Sequence, residues 1–475
     1  MRVVPIKLVC GLVGLLLSAS GCELVPLATL WQDFNRQPRD QSAHFECGSL
    51  GSLHKRHKRK FDLILRSDNG DPDLPKYWRQ WWYSQLDLPK GTSTLTLKGR
   101  GHWNYYLPVF SLDQKNWRQF RPEQVSQPKR HQLQIKARFP GGKVWLARYV
   151  PYSYSRQMRL LDELPKPIEV KVEALGHSPK GRLVPLLTSR PQKGQCQKGH
   201  VVIHARTHPG EVGASFLLEG LLRELTATHR AARRVRQELC FTIVPMVNVD
   251  GVIAGNNRTN LASINLEGKW FMAPGDPDDL LGQTPQEVRL LHKAFLQAQE
   301  QGNVTVALNL HASNGRPQDQ VFFFPHFGPA RKGYSRREVK LYSNQRRLIR
   351  HYASLLGADG YTKTVVDGGR DFIEKDMPES YWWKKAGPKV NALSMEATYG
   401  LVPGGRQEWK TPADIKFEGQ ALFYSLARYH RVLSYPQAKS FLATTLQKTQ
   451  WPYQLPTGLF SRSGADNPFL LQLQR

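Results

Sequence analysis

An α/β sheet with helices on both faces, preceded by an all-β sandwich, is the architecture that this 475-residue sequence predicts. Three observations point there. Before about residue 150, short alternating segments such as Phe61 to Leu65, Ser93 to Leu97, Gln132 to Ala137 and Lys143 to Tyr149 are separated by turn clusters at Asp68 to Asp73 and Pro140 to Gly142. From about residue 160, short β runs alternate instead with stretches of helical period, the pattern of a sheet covered by helices. The composition, 40% hydrophobic and 10% aromatic, can fill the cores of two or three domains.

The amino terminus carries an export signal. Arg2 and Lys7 precede an apolar run from Leu8 to Leu17, then Ser18, Ala19, Ser20 and Gly21 lead into Cys22. The run is too short to span a bilayer as a stable helix. Small residues directly before a cysteine resemble a bacterial lipobox, which implies lipidation of Cys22, a lipid anchor in a bacterial cell membrane and a chain that faces the periplasm. Plain signal cleavage near Gly21 is the alternative, and it too places the protein outside the cytoplasm. Residues 1–21 are therefore read as the signal, 22–42 as a polar tether, 43–157 as the sandwich, 158–435 as the α/β domain and 436–475 as a Pro- and Gln-rich extension without a clear element.

Charge and cysteines narrow the partners. The formal net charge of +28 becomes +26 once Arg2 and Lys7 leave with the signal. Outside the cytoplasm such a chain meets lipid head groups and anionic envelope polymers, and the export signal demotes nucleic acid. The run His54-Lys-Arg-His-Lys-Arg-Lys60 is either a patch for such a polymer or a solvated loop. Of the cysteines that remain after Cys10 and Cys22, Cys240 lies in an apolar run and reads as a buried thiol, while no spacing selects a bridge between Cys47 and Cys196.

The chemistry-bearing residues fall at the ends of strand-like runs. His200-Val-Val-Ile-His204-Ala-Arg-Thr leads into His208-Pro-Gly-Glu211, followed by apolar positions at helical spacing from Ala214 to Leu225. An imidazole and a carboxylate three residues apart across a strand-to-helix loop suit zinc. A buried run from Val304 to Leu310 ends at His311, and another from Val390 to Met395 ends at Glu396. Ligands of open α/β sheets bind beyond the carboxyl ends of the strands, so these groups can share one crevice. Two histidines and a glutamate leave a position open for water, and a further carboxylate can take that water's proton.

At this point the sequence resembles the zinc carboxypeptidases, within them the cytosolic carboxypeptidase branch. His208-Pro-Gly-Glu211 looks like the metal motif, Pro245-Met-Val-Asn-Val-Asp-Gly251 through Arg258 like the segment whose arginine polarises the scissile carbonyl, and Ser394-Met-Glu396-Ala-Thr-Tyr399 like the strand of the catalytic glutamate. Upstream, Arg79-Gln-Trp-Trp-Tyr83, Leu107-Pro-Val-Phe-Ser111, Trp117 and Tyr149-Val-Pro-Tyr-Ser-Tyr154 resemble the sandwich that precedes the peptidase domain in that branch. The resemblance implies a mixed sheet, Zn2+ on His208, Glu211 and His311, Glu396 as general base, Arg258 at the substrate carbonyl, and a peptide as substrate. Cell-wall peptides and acidic peptides are the candidate substrates. A catalytically inactive lipoprotein that binds a peptide or glycan in the same cleft is the alternative, as is a scaffold with a structural zinc.

One segment departs from the pattern. Where family members usually carry Asp-Leu-Asn-Arg before a nearby Trp, this chain reads Asn265-Leu266-Glu267-Gly268 before Trp270. The departure implies that Glu267 stands where a substrate carboxylate is normally held, and predicts that it meets a substrate amine or neutralises a cation such as Arg258. Arg370, Arg316 or Lys269 could supply the missing cation, and Tyr381 is either an assisting tyrosine or part of a packed aromatic cluster.

Overall fold

The computed structural model describes residues 39–99, 107–192, 196–313, 317–356, 373–403 and 408–446. The signal, Cys22 and nearly all of the tether lie outside the described residues, as do Arg316 and Arg370. No helix among the described residues is long and apolar enough to cross a membrane.

Nine strands precede residue 150. They are β1 (Ser52–His57), β2 (Lys60–Ile64), β3 (Tyr83–Leu88), β4 (Gly91–Lys98), β5 (Val109–Ser111), β6 (Trp117–Gln119), β7 (Val125–Lys129), β8 (Gln132–Phe139) and β9 (Gly142–Ala147). They form a five-stranded sheet, in the order β1-β2-β4-β8-β7, and a four-stranded sheet, in the order β3-β9-β5-β6. Alternation along each strand explains the packing. Leu95 and Leu97 of β4 stand opposite Ile135 and Leu133 of β8, and these side chains share one core with Leu86, Leu88, Val144 and Leu146 of the other sheet. Each fully buried aliphatic side chain of this kind contributes roughly 1.5–3 kcal/mol. The basic run from His54 to Lys60 forms the exposed β1–β2 hairpin, with His54 paired to Asp62.

The second domain is built on a seven-stranded sheet that includes β10 (Val170–His177), β11 (Leu183–Ser189), β12 (His200–Ala205) and β13 (Cys240–Val244). A separate two-stranded ribbon, β14 (Met272–Ala273) and β15 (Asp276–Leu280), precedes the remaining strands β16 (Val304–Ser313), β17 (Phe322–Phe324) and β18 (Asn391–Thr398). The order β10-β11-β13-β12-β16-β18-β17 is parallel in the centre and antiparallel at both edges. Every residue of β12 and β13 is buried, so the sheet is covered on both faces. The main helices are α1 (Tyr154–Glu163), α2 (Val212–Thr226), α3 (Arg230–Glu238), α4 (Val249–Ala254), α5 (Gln286–Glu300), α6 (Arg336–Leu356), α7 (Pro378–Ala386), α8 (Pro412–Tyr429) and α9 (Tyr435–Leu446).

Two expectations are corrected here. Cys240 is not a thiol: it forms a disulfide with Cys196, while Cys47 is buried and free. The apolar run concealed that Cys240 opens β13, where it faces the segment entering the neighbouring strand. The stretch after residue 435 is helical as far as Leu446. Its Pro-rich start is compatible with a first helical turn, Ser434 and Gln437 bond each other's backbone N–H there, and Ala438 and Leu442 bury one face.

Candidate active site

The loop from β12 to α2 is fixed before any metal is considered. Arg206 adopts a left-handed φ of 61°, and its buried guanidinium donates to Tyr152 O at 3.0 Å, Ser215 Oγ at 2.9 Å and Pro209 O. That staple presents His208 and Glu211 on the same side, with Glu211 directly before the first turn of α2. From the neighbouring strand His311 enters beside them. Its Nδ1 lies 2.8 Å from Glu211 Oε2, and His208 Nδ1 lies 2.8 Å from Glu211 Oε1. The three residues each offer a ligand atom within 4.8 Å of the others. Two imidazole nitrogens and a carboxylate converging in this way fit zinc.

Glu396 follows from strand register. β16 and β18 run parallel, and His311 is paired with Glu396 across them. Burial pushes the Glu396 carboxyl up to about 8, against the pull of His311 and Arg258 and with help from Glu211 and Glu267. Its Oε2 has no hydrogen-bond partner among the described residues. Glu396, Glu211 and Arg258 line a cleft of about 430 Å³ together with Trp78, Arg148 and Tyr399. The Arg258 guanidinium sits 5.4 Å from the centre of the Trp78 ring.

Sequence reasoning missed what holds Arg258. Asp68, read only as part of a turn cluster, is a buried carboxylate of the sandwich that accepts from three successive backbone N–H groups, those of Asn257 at 2.5 Å and of Arg258 and Thr259 at 2.7 Å each. Next to it, Asn69 takes a left-handed φ of 54°, which asparagine tolerates better than most residues. Asn69 and Asn256 exchange hydrogen bonds. The sandwich thus grips the arginine loop by its backbone, a contact with no motif because its partners are 189 to 191 positions apart.

Other predicted residues stand elsewhere. Glu267 is not in the cleft, contrary to expectation: its side chain turns inward behind His311, where Asn309 Nδ2 donates to Oε1 at 2.7 Å. A buried anion seeks the nearest donors, and here those belong to β16. Burial raises its carboxyl, but His311 outweighs that and holds it down to about 2. Lys269 lies over the Phe271 ring. Tyr381 belongs to the aromatic cluster of Trp270, Phe295 and Trp382, and its hydroxyl donates to Asp278 at 2.8 Å.

Comparison with known proteins agrees with this geometry. Residues 158–315 match the zinc carboxypeptidase family, and residues 41–149 match the cytosolic carboxypeptidase N-terminal domain. The chain carries a zinc carboxypeptidase domain preceded by a cytosolic carboxypeptidase N-terminal domain. Within the zinc carboxypeptidases, cytosolic carboxypeptidase 1 of Gallus gallus is 26% identical over 274 residues, which are 48% of this chain and 22% of that protein. Cytosolic carboxypeptidase 6 of Caenorhabditis elegans is 26% identical over 58% of this chain and 62% of its own length. This chain therefore spans between about a fifth and under two thirds of those relatives. A metallo-carboxypeptidase from Burkholderia cenocepacia superposes with a TM-score of 0.66 at 20% identity, covering 82% of this chain and 98% of the other. A metallo-carboxypeptidase from Pseudomonas aeruginosa gives 0.64 at 22% identity, covering 82% and 99%. These two share the fold. His208, Glu211, Arg258, Glu267 and His311 fall within the family match, and Glu396 lies beyond it.

Proposed function

We propose that this chain is a zinc-dependent peptidase of the metallocarboxypeptidase type that hydrolyses an amide bond in a peptide. The observation that carries the reading is the convergence of His208 Nδ1 and His311 Nδ1 on the two oxygens of Glu211, with Glu396 in register with His311 on the next strand. His208, Glu211 and His311 would hold the ion. Zinc there supplies Lewis acidity, which lowers the pKa of a water and polarises a carbonyl. Glu396 takes the proton of the attacking water and returns it to the leaving amine, a double role suited to a carboxyl raised toward neutrality. Arg258 stabilises charge that develops on the carbonyl oxygen, and the Asp68 clamp keeps it aimed.

Substrate and location belong to the same proposal. Arg148 and Arg258 line the cleft, which supports acidic peptides, and the export signal supports cell-wall peptides. The Cys196–Cys240 disulfide supports an oxidising compartment such as the periplasm, with Cys22 as lipid anchor. The exposed β1–β2 hairpin is the face for an anionic envelope polymer. Metal analysis of the purified protein, followed by mass spectrometry of cell-wall and acidic peptides incubated with it, tests the reading. About one zinc per chain and new amide cleavage products, both lost on chelation, are expected. A protein that takes up no zinc, or that cleaves neither class when loaded, would sink it.

A further inference from the structure

The buried side of the metal site contains a carboxylate that the mechanism above does not use. Glu267 sits in the short turn Leu266–Gly268 and is 7% exposed. Its Oε1 is taken by Asn309, which is two residues before His311 on β16 and so faces the same side of the sheet. Its Oε2 makes no hydrogen bond among the described residues, and His311 Nε2 stands 3.4 Å from it at ion-pair distance. A buried carboxylate oxygen without a hydrogen bond is costly, and the His311 imidazole is the group placed to offset that cost. Two residues earlier, Asn265 Oδ1 stands 3.0 Å from His208 Nε2. Both histidines thus have Nε2 occupied from behind and Nδ1 turned to Glu211, one by a neutral amide and the other by an anion.

We propose that Glu267 is a positioning residue of the metal centre, whose carboxylate holds the Nε2–H of His311 and so fixes the ring and its tautomer with Nδ1 presented to the ion. The inference rests on the zinc reading above. An outer carboxylate of this kind orients its histidine and strengthens it as a donor. Compared with the Asp-Leu-Asn-Arg pattern, the segment keeps one carboxylate but moves it two positions along, from 265 to 267. That move takes it from the place behind His208 to the place behind His311. The change therefore serves the metal and not the recognition of a substrate terminus.

The full chain, stripped with a chelator, is titrated with zinc in competition with a chromophoric chelator, and its cobalt(II) form is examined by visible absorption. Glu267→Gln is expected to weaken zinc binding by about ten- to a hundredfold, to shift the cobalt spectrum, and to leave the thermal midpoint of the metal-free protein at or above that of wild type. Glu267→Asp should recover part of both the affinity and the spectrum, which a role confined to packing would not produce. If the glutamine variant does not fold, Glu267→Asn carries the same comparison. Zinc affinity within twofold of wild type, with an unchanged cobalt spectrum, overturns the proposal. His311→Ala in the same titration separates the two levels: if it loses zinc while Glu267→Gln does not, the inference alone fails, and if it too keeps zinc, the metal reading fails with it.

Discussion

At the scale of single residues, the burden of the chemistry falls on Glu396. It is the carboxylate in register with His311, burial raises its carboxyl, and it is not part of the His208, Glu211 and His311 donor set. Glu396→Gln is therefore expected to retain zinc and fold while turnover falls by roughly 10²–10⁴-fold, the usual contribution of a positioned base. Steady-state kinetics beside metal analysis checks this, and wild-type turnover in the variant would move the base elsewhere. The placement of His208, Glu211, His311 and Glu396 was legible in the sequence because each stands at or next to the carboxyl end of an apolar run, where α/β sheets gather their sites. The orientation of Glu267 was not. Register fixes the position of a residue along a segment, but whether a long side chain turns toward solvent or toward β16 depends on donors such as Asn309 that adjoin it only after folding.

At the scale of elements, the arginine loop is supported from another domain. Asp68 offers its two oxygens to three backbone N–H groups of that loop. Asp68→Asn cannot accept with both side-chain atoms, so at least one buried N–H loses its partner, at about 1–3 kcal/mol. A displacement of about 1 Å at Arg258 costs about a hundredfold in rate. The expected result is a loss of that order in kcat/KM with zinc content unchanged, and unchanged kinetics would show that the clamp is only structural. The strands of the sandwich were readable because alternation is a local signal, as in β4 and β8. The clamp was not, because Asp68-Asn69-Gly70 has the composition of any turn. Helix α9 was hidden for a related reason: among its residues with described side chains, only Ala438 and Leu442 are deeply buried, which is too thin an apolar stripe to stand out beside Pro and Gln.

For the whole molecule, the disulfide ties the entrance of β12 to the first residue of β13 and closes a 44-residue separation that contains His208, Glu211 and α2. A loop of that size stabilises by roughly 2–4 kcal/mol, mainly through the unfolded chain. The Cys196→Ser, Cys240→Ser double variant should thus melt several degrees lower, and reductant should lower the wild-type midpoint but not that of the variant. Thiol trapping of protein taken from cells should find Cys47 free after denaturation and the other two blocked, and Cys22→Ser should leave the membrane fraction. Reduced Cys196 and Cys240 in such samples, or a membrane-bound serine variant, would count against the exported, anchored form. The pairing of His311 with Glu396 has a consequence for descent with modification. Their spacing is set by backbone hydrogen bonds between β16 and β18, although 77 positions, 314–390, separate the two strands in sequence. Insertions and deletions outside β17, which pairs with β18, and outside α6 and α7 can accumulate there without moving the proton-transfer distance, so a lineage can explore new substrates while its reaction chemistry stays intact.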